Sequence, residues 1–165
     1  MKIVVFSDAH GNKEAIKRVV GFNPDADFIV SLGDSEVSYN FLQDLDIIPI
    51  KGNSLFDAGF VHESELIVEG KKIYLTHGHK FKVGKGLAKL SNKTINGGYD
   101  IALYGHTHIA KLNRIGTKYV INPGSIRSSR NKKEPSYLVI HLIEGMFSFI
   151  FKNSETNEDL ETPKE

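Results

Sequence analysis

The sequence predicts an α/β protein, a layered α/β/β/α sandwich of two mixed sheets flanked by helices. The first third of the chain alternates short apolar runs with helix-periodic stretches, the rhythm of a parallel sheet with crossover helices. The remainder is rich in strand-like runs paired across Gly-containing turns, which read as hairpins. His, Asp and Asn residues follow many of the apolar runs, and ligands of open α/β sheets bind outside the carboxyl ends of the strands. The expected site is therefore at the strand C-terminal ends, along one edge of the layers.

Taken in order, Ile3 to Phe6 is a short β-branched run that stops at Ser7-Asp8 and reads as a buried strand. From Asn12 to Val20 the apolar residues Ala15, Ile16, Val19 and Val20 share one helical side, opposite Lys13, Glu14, Lys17 and Arg18. Asn12 suits the N-cap, and Gly21 and Pro24 end the helix. Asp27 to Ser31 is a second strand ending at Leu32-Gly33-Asp34, Val37 to Leu45 a second helix, and Ile47 to Ile50 a third strand ending at Lys51-Gly52-Asn53. Ser64 to Glu69 and Lys72 to Thr76 form a hairpin followed by His77-Gly78-His79, and one helix lies within Gly84 to Asn96. Ile101 to Tyr104 is a buried strand stopping at Gly105-His106. Two further hairpins pair Ala110–Ile115 with Lys118–Ile121 and Tyr137–Leu142 with Met146–Phe151, so the second half is expected to be mostly antiparallel. Residues 1–152 form one domain. The polar, acid-rich tail 153–165 has little to bury and is expected to be frayed or disordered.

Composition narrows the function classes. A chain of 165 residues favours a single core. A net charge of +1 supplies no global field toward nucleic acid or anionic membrane. The absence of cysteine excludes disulfides, thiolate zinc sites and cysteine nucleophiles. The apolar run after Met1 is too short for a signal peptide or membrane helix, so a cytoplasmic location is expected.

Five of the seven histidines fall in Asp8-Ala9-His10, His77-Gly78-His79 and His106-Thr107-His108. In extended chain residues i and i+2 point the same way, so Asp8 with His10, and His106 with His108, can each address one ion from a single loop. Gly before Asp34, Asn53 and His106 lets the backbone turn sharply at each strand end. Imidazole, carboxylate and amide donors without thiolate fit Mn, Fe, Co, Ni or Zn, and do not choose among them.

These pieces in this order, with Asn122-Pro123-Gly124-Ser125 after them, resemble the calcineurin-like metallophosphoesterases, and most closely their small single-domain bacterial and archaeal phosphodiesterase branch. The resemblance runs to about Arg130. It implies two divalent ions, one held by Asp8, His10, Asp34 and His108, the other by Asp34, Asn53, His77 and His106, with Asp34 bridging. It further implies hydrolysis of a small phosphodiester by direct attack of a metal-bridging hydroxide. Such a site stays net positive and attracts phosphate. Asp34, Asn53 and His79 are the expected catalytic residues, His79 as proton donor to the leaving group. Arg127 and Arg130 are the expected phosphate grips. Ser54 stands where many relatives carry a histidine, and Ser129 where a Pro is common.

Blander readings apply elsewhere. His62 and His141 are structural or surface residues, Lys80, Lys82, Lys85 and Lys89 a solvated face, and Phe147, Phe149 and Phe151 core or interface residues. A scaffold role, as in the retromer subunit that shares the fold, is disfavoured because every ligand position is filled. A nuclease is disfavoured because nucleases of the superfamily usually carry a further DNA-guiding domain. A homo-oligomer is an expectation from the resemblance alone.

Overall fold

The computed structural model describes residues 1–57 and 59–163. The first sheet has the order β10-β9-β1-β2-β3, from β1 (Lys2–Phe6), β2 (Phe28–Ser31), β3 (Ile47–Pro49), β9 (Ser136–Ile143) and β10 (Met146–Asn153). The second has the order β4-β5-β6-β8-β7, from β4 (Glu63–Val68), β5 (Lys71–Thr76), β6 (Ile101–Leu103), β7 (Lys111–Ile115) and β8 (Lys118–Asn122).

Alternation along β1 explains the layering. Ile3 and Val5 face the second sheet, in one cluster with Ile73, Leu75, Ile101, Leu103 and Ile121. Val4 and Phe6 face the other way, onto Ala15, Ile16 and Val19 of α1 (Lys13–Phe22) and Leu42 of α2 (Tyr39–Gln43). A strand buried on both faces needs an unbroken apolar run, which Ile3 to Phe6 supplies. Tyr74, Ala102 and Val120 cover the outer face of the second sheet together with Leu90 of α3 (Ala88–Asn96). The result is helix, sheet, sheet, helix, as the sequence predicts. Asn12 caps α1 through its side-chain oxygen, which accepts from Ala15 N at 3.0 Å.

Both sheets are mixed, as expected: in the second, β6 pairs in parallel with both β5 and β8. The last hairpin joins the first sheet, with β9 antiparallel to β1. One expectation is corrected. The described part of the tail, to residue 163, does not fray: after β10 it turns back, Leu160 N donates to Phe151 O at 2.8 Å, and Lys152 bridges to Asp159. Ser154 is fully buried, its hydroxyl on Ile126 O, while Leu160 packs against the inter-sheet core. Composition misled here because hydrogen bonds, rather than apolar area, hold most of the segment. Among the described residues no helix is long and apolar enough to cross a membrane.

The parallel strands β1, β2 and β3 of one sheet and β5 and β6 of the other end at a common edge. The loops after them carry Asp8 and His10, Asp34, Asn53, His77, and His106 and His108.

Candidate metal centre

Asp8 is the hub. It is fully buried, and its Oδ2 accepts from Ser7 Oγ at 2.6 Å and His106 N at 3.0 Å. Its Oδ1 has no hydrogen-bond partner among the described residues. That bare oxygen lies 3.2 Å from His108 Nε2, 3.8 Å from His10 Nε2 and 3.9 Å from His77 Nε2. A buried carboxylate oxygen left unpaired is costly unless a cation meets it.

The histidines point the same way. His77 Nδ1 lies 2.7 Å from Leu32 O, so Nδ1 carries the hydrogen and Nε2 presents a lone pair. That lone pair faces Asn53 Oδ1 at 3.0 Å and Asp34 Oδ2 at 3.4 Å, acceptor against acceptor. His10 Nδ1 is held by Glu36 Oε1 at 2.8 Å, which turns its Nε2 toward His108 Nε2 at 3.1 Å. Each arrangement is resolved by a proton or by a metal ion, and a carboxylate or carbonyl behind the imidazole is the usual support of a ligating histidine. The residues therefore fit a metal, in two triads: Asp8 with His10 and His108, and Asp8 with Asp34 and His77. Asp8 is the carboxylate common to both, whereas the resemblance gives the bridge to Asp34.

Electrostatics agree with the geometry. Burial opposes ionisation of Asp34, yet His77, Ser54 N and His10 outweigh it and hold the carboxyl well below its usual range. Burial likewise opposes charging His77, but Asp34, Asp8 and the Leu32 carbonyl raise its pKa. The proton drawn to His77 stands where a cation would sit. His106 shifts down through burial and the neighbouring His77.

The expected residues mostly converge. His106 lies with its ring 5.2 Å from His77, centre to centre. His79 packs 5.5 Å from His77 and 6.2 Å from His106. Burial, with His77, His106 and His62, lowers its pKa to about 4, so the ring is uncharged at neutral pH. In that state the ring has one N–H to donate. His62, read as a bystander, sits 6.0 Å from His79. Arg127 donates to His10 O at 2.9 Å and so braces the ligand loop, while Arg130 lines a cleft beside His106. The Ser54 hydroxyl accepts from Phe56 N inside its own turn.

The local reasons for convergence differ from the expected ones. Asp8, His10, Asp34, His106 and His108 have φ of 56°, 44°, 48°, 68° and 60°, so these loops are left-handed rather than extended. Of the glycines before ligands, only Gly33 turns at positive φ, 103°. Gly52 is needed for close approach, since a Cβ there would overlap the Asp34 carboxylate.

Two supporting carboxylates escaped the sequence reading. Glu36 orients His10, and its place two residues after Asp34 was the available signal. Asp57 is fully buried and accepts from Asp34 N at 2.8 Å, Gly52 N at 2.9 Å and Glu36 N at 3.3 Å, tying two ligand loops together.

Residues 1–145 match the family model described as the calcineurin-like phosphoesterase superfamily domain. The chain is 30% identical over 159 residues to the probable metallophosphoesterase YsnB of Bacillus subtilis, spanning 96% of this chain and 94% of that protein. It is 26% identical to the phosphodiesterase YfcE of Escherichia coli strain K12, over 83% and 85% of the two chains. A crystal structure of a predicted phosphoesterase from Streptococcus pneumoniae superposes with a TM-score of 0.87 at 28% identity, over 97% and 92% of the two chains.

Proposed function

Because this chain belongs to the calcineurin-like phosphoesterase superfamily, we propose that it is a metal-dependent phosphodiesterase that hydrolyses a small phosphodiester by direct attack at phosphorus, with no covalent enzyme intermediate. The family makes it a metallophosphoesterase; the diester substrate and the two-ion mechanism are the finer reading. One observation supports it above others: among the described residues the bare Asp8 Oδ1 and the Nε2 atoms of His10, His77 and His108 gather within reach of shared ions.

In this reading Asp8, His10, Asp34 and His108 hold one ion, and Asp34, Asn53, His77 and His106 the other. Divalent ions held there, Mn²⁺ foremost, would supply hydroxide at neutral pH and would neutralise charge growing on the phosphoryl oxygens. Asp34 and Asn53 fix the reacting centre from two loops that Asp57 ties together. His79, uncharged, donates a hydrogen bond to a substrate oxygen and helps exclude water. Arg127 and Arg130 steer the phosphate from the rim.

The test is hydrolysis of bis-p-nitrophenyl phosphate and p-nitrophenyl phosphate by metal-stripped protein reloaded with Mn²⁺, Ni²⁺, Co²⁺, Fe²⁺ or Zn²⁺. Turnover of the diester is expected to return with metal. Asp34→Asn and His106→Ala are expected to lose more than the ~10–100-fold that removal of a supporting partner costs. Metal binding without turnover of either ester would instead mark a scaffold built on this fold.

A further inference from the structure

A cleft of about 1040 Å³ opens beside His106 and Thr107. Its size matches a small-molecule site rather than a single phosphate. Lys111 at the start of β7, and Arg130 and Lys133 on the loop before β9, all line it. They come from two separate segments and meet there. Among the described residues none of the three is in an ion pair. Three cations gathered around one cleft without a carboxylate partner repel one another, and an anion relieves that cost. The only carboxylate lining the cleft among the described residues is Glu161, brought there by the folded-back tail. Val83, Leu87 and Ile109 add an apolar wall to the same cleft.

We propose that this cleft is a subsite for a second phosphate. The substrate is then a phosphodiester whose retained half carries an apolar or aromatic body and a further phosphate monoester, the body against Val83, Leu87 and Ile109 and the phosphate on Lys111 and Lys133, with Arg130 beside His106 shared between the two phosphates. Glu161 opposes the second charge and sets how strongly it is preferred. This rests on the phosphodiesterase reading and narrows its substrate class.

The test compares thymidine 5′-(p-nitrophenyl phosphate) with and without a 3′-phosphate on the metal-loaded protein. In both, water replaces p-nitrophenolate at phosphorus, so the chemistry is matched and only the remote charge differs. The 3′-phosphate is expected to lower KM by about tenfold with kcat little changed, as for one added charge-assisted contact. Lys111→Ala and Lys133→Ala are expected to shrink that ratio toward one, and Glu161→Lys to widen it. Opposite movements of one ratio are not what a merely structural defect produces. Calorimetry with thymidine 3′,5′-bisphosphate and thymidine 5′-phosphate reads the same preference without turnover. Equal KM values, or equal affinities in the calorimeter, would overturn the subsite. Loss of turnover on both esters with the binding preference intact would instead remove the phosphodiesterase reading and leave the subsite standing.

Discussion

At His10 the backbone stands at a φ of 44°, a conformation that costs an L side chain about 1–2 kcal/mol. Four more of the expected ligands share that condition. Strain gathered on ligand loops is what a preorganised site stores, and the packing of Asp57 and Glu36 around those loops sustains it. Two expectations belong at this scale. In the metal-free protein His10→Gly should be more stable than His10→Ala by roughly 0.5–1 kcal/mol, since both lose the ring but only Gly relaxes the backbone; urea unfolding of the pair decides it. Asp57→Asn should unfold about 2 kcal/mol more easily, because one amide oxygen replaces a carboxylate that accepts three backbone N–H bonds. Its Mn²⁺ affinity should fall by about 10–100-fold, as for other partners that orient ligands. Titration calorimetry checks the second part. The sequence showed the ligand types plainly, since few functions put His, Asp and Asn at so many strand ends. It hid Asp57, because nothing in Ser54-Leu55-Phe56-Asp57 says that the carboxylate turns back to the N–H groups of Asp34 and Gly52.

At the scale of elements, the segment Asn122 to Ser125 acts as a brace. Asn122 Nδ2 donates to Gly105 O at 2.8 Å and to Thr107 Oγ1 at 3.0 Å, and Ser125 Oγ donates to Asp8 O at 2.9 Å. The end of β8 thereby fixes two ligand loops at once, and the motif is read best as support for the centre. The folded-back tail is the other element of consequence. Leu160→Ala should cost about 1–2 kcal/mol, less than a fully buried leucine because the side chain is half-buried; thermal or urea unfolding measures it. Strands were legible because each buried run is apolar along its length. The tail was not, because Ser154 and Asn157 give no hint of their partners Ile126 and Tyr137 until the fold brings those groups within reach.

Across the whole molecule, the charged groups of the centre set the pH profile of the metal-free protein. The raised pKa of His77 adds stability that is complete below 6.5 and is lost as pH climbs through the folded value. The lowered pKa of His79, about 4, works the other way: burying the neutral ring costs stability as pH falls from 6.5 toward 4. His106 acts in the same direction as His79. Asp34 adds stability above 3.8 that persists until pH falls through its depressed folded value. The metal-free protein should therefore be most stable near pH 6.5. Bound Mn²⁺ should flatten the alkaline side by replacing the proton on His77. Chemical unfolding from pH 4 to 9, with and without metal, measures both limbs. The layered architecture was legible from periodicity. The exchange of the last hairpin into the first sheet was not, because a hairpin pattern does not name the strand beside which it will lie.

That exchange carries a consequence for biosynthesis. Lys2 of β1 lies opposite His141 of β9, so one edge of β1 is closed by a strand made long after it. A nascent chain presents β1, β2 and β3 with the backbone edge of β1 open until Ser136–Ile143 has left the ribosome. Pairing across so long a stretch of sequence is slow, and open apolar edges recruit other chains in the interval. Yield of folded protein should therefore depend on translation speed and on chaperone capacity more steeply than its final stability would suggest.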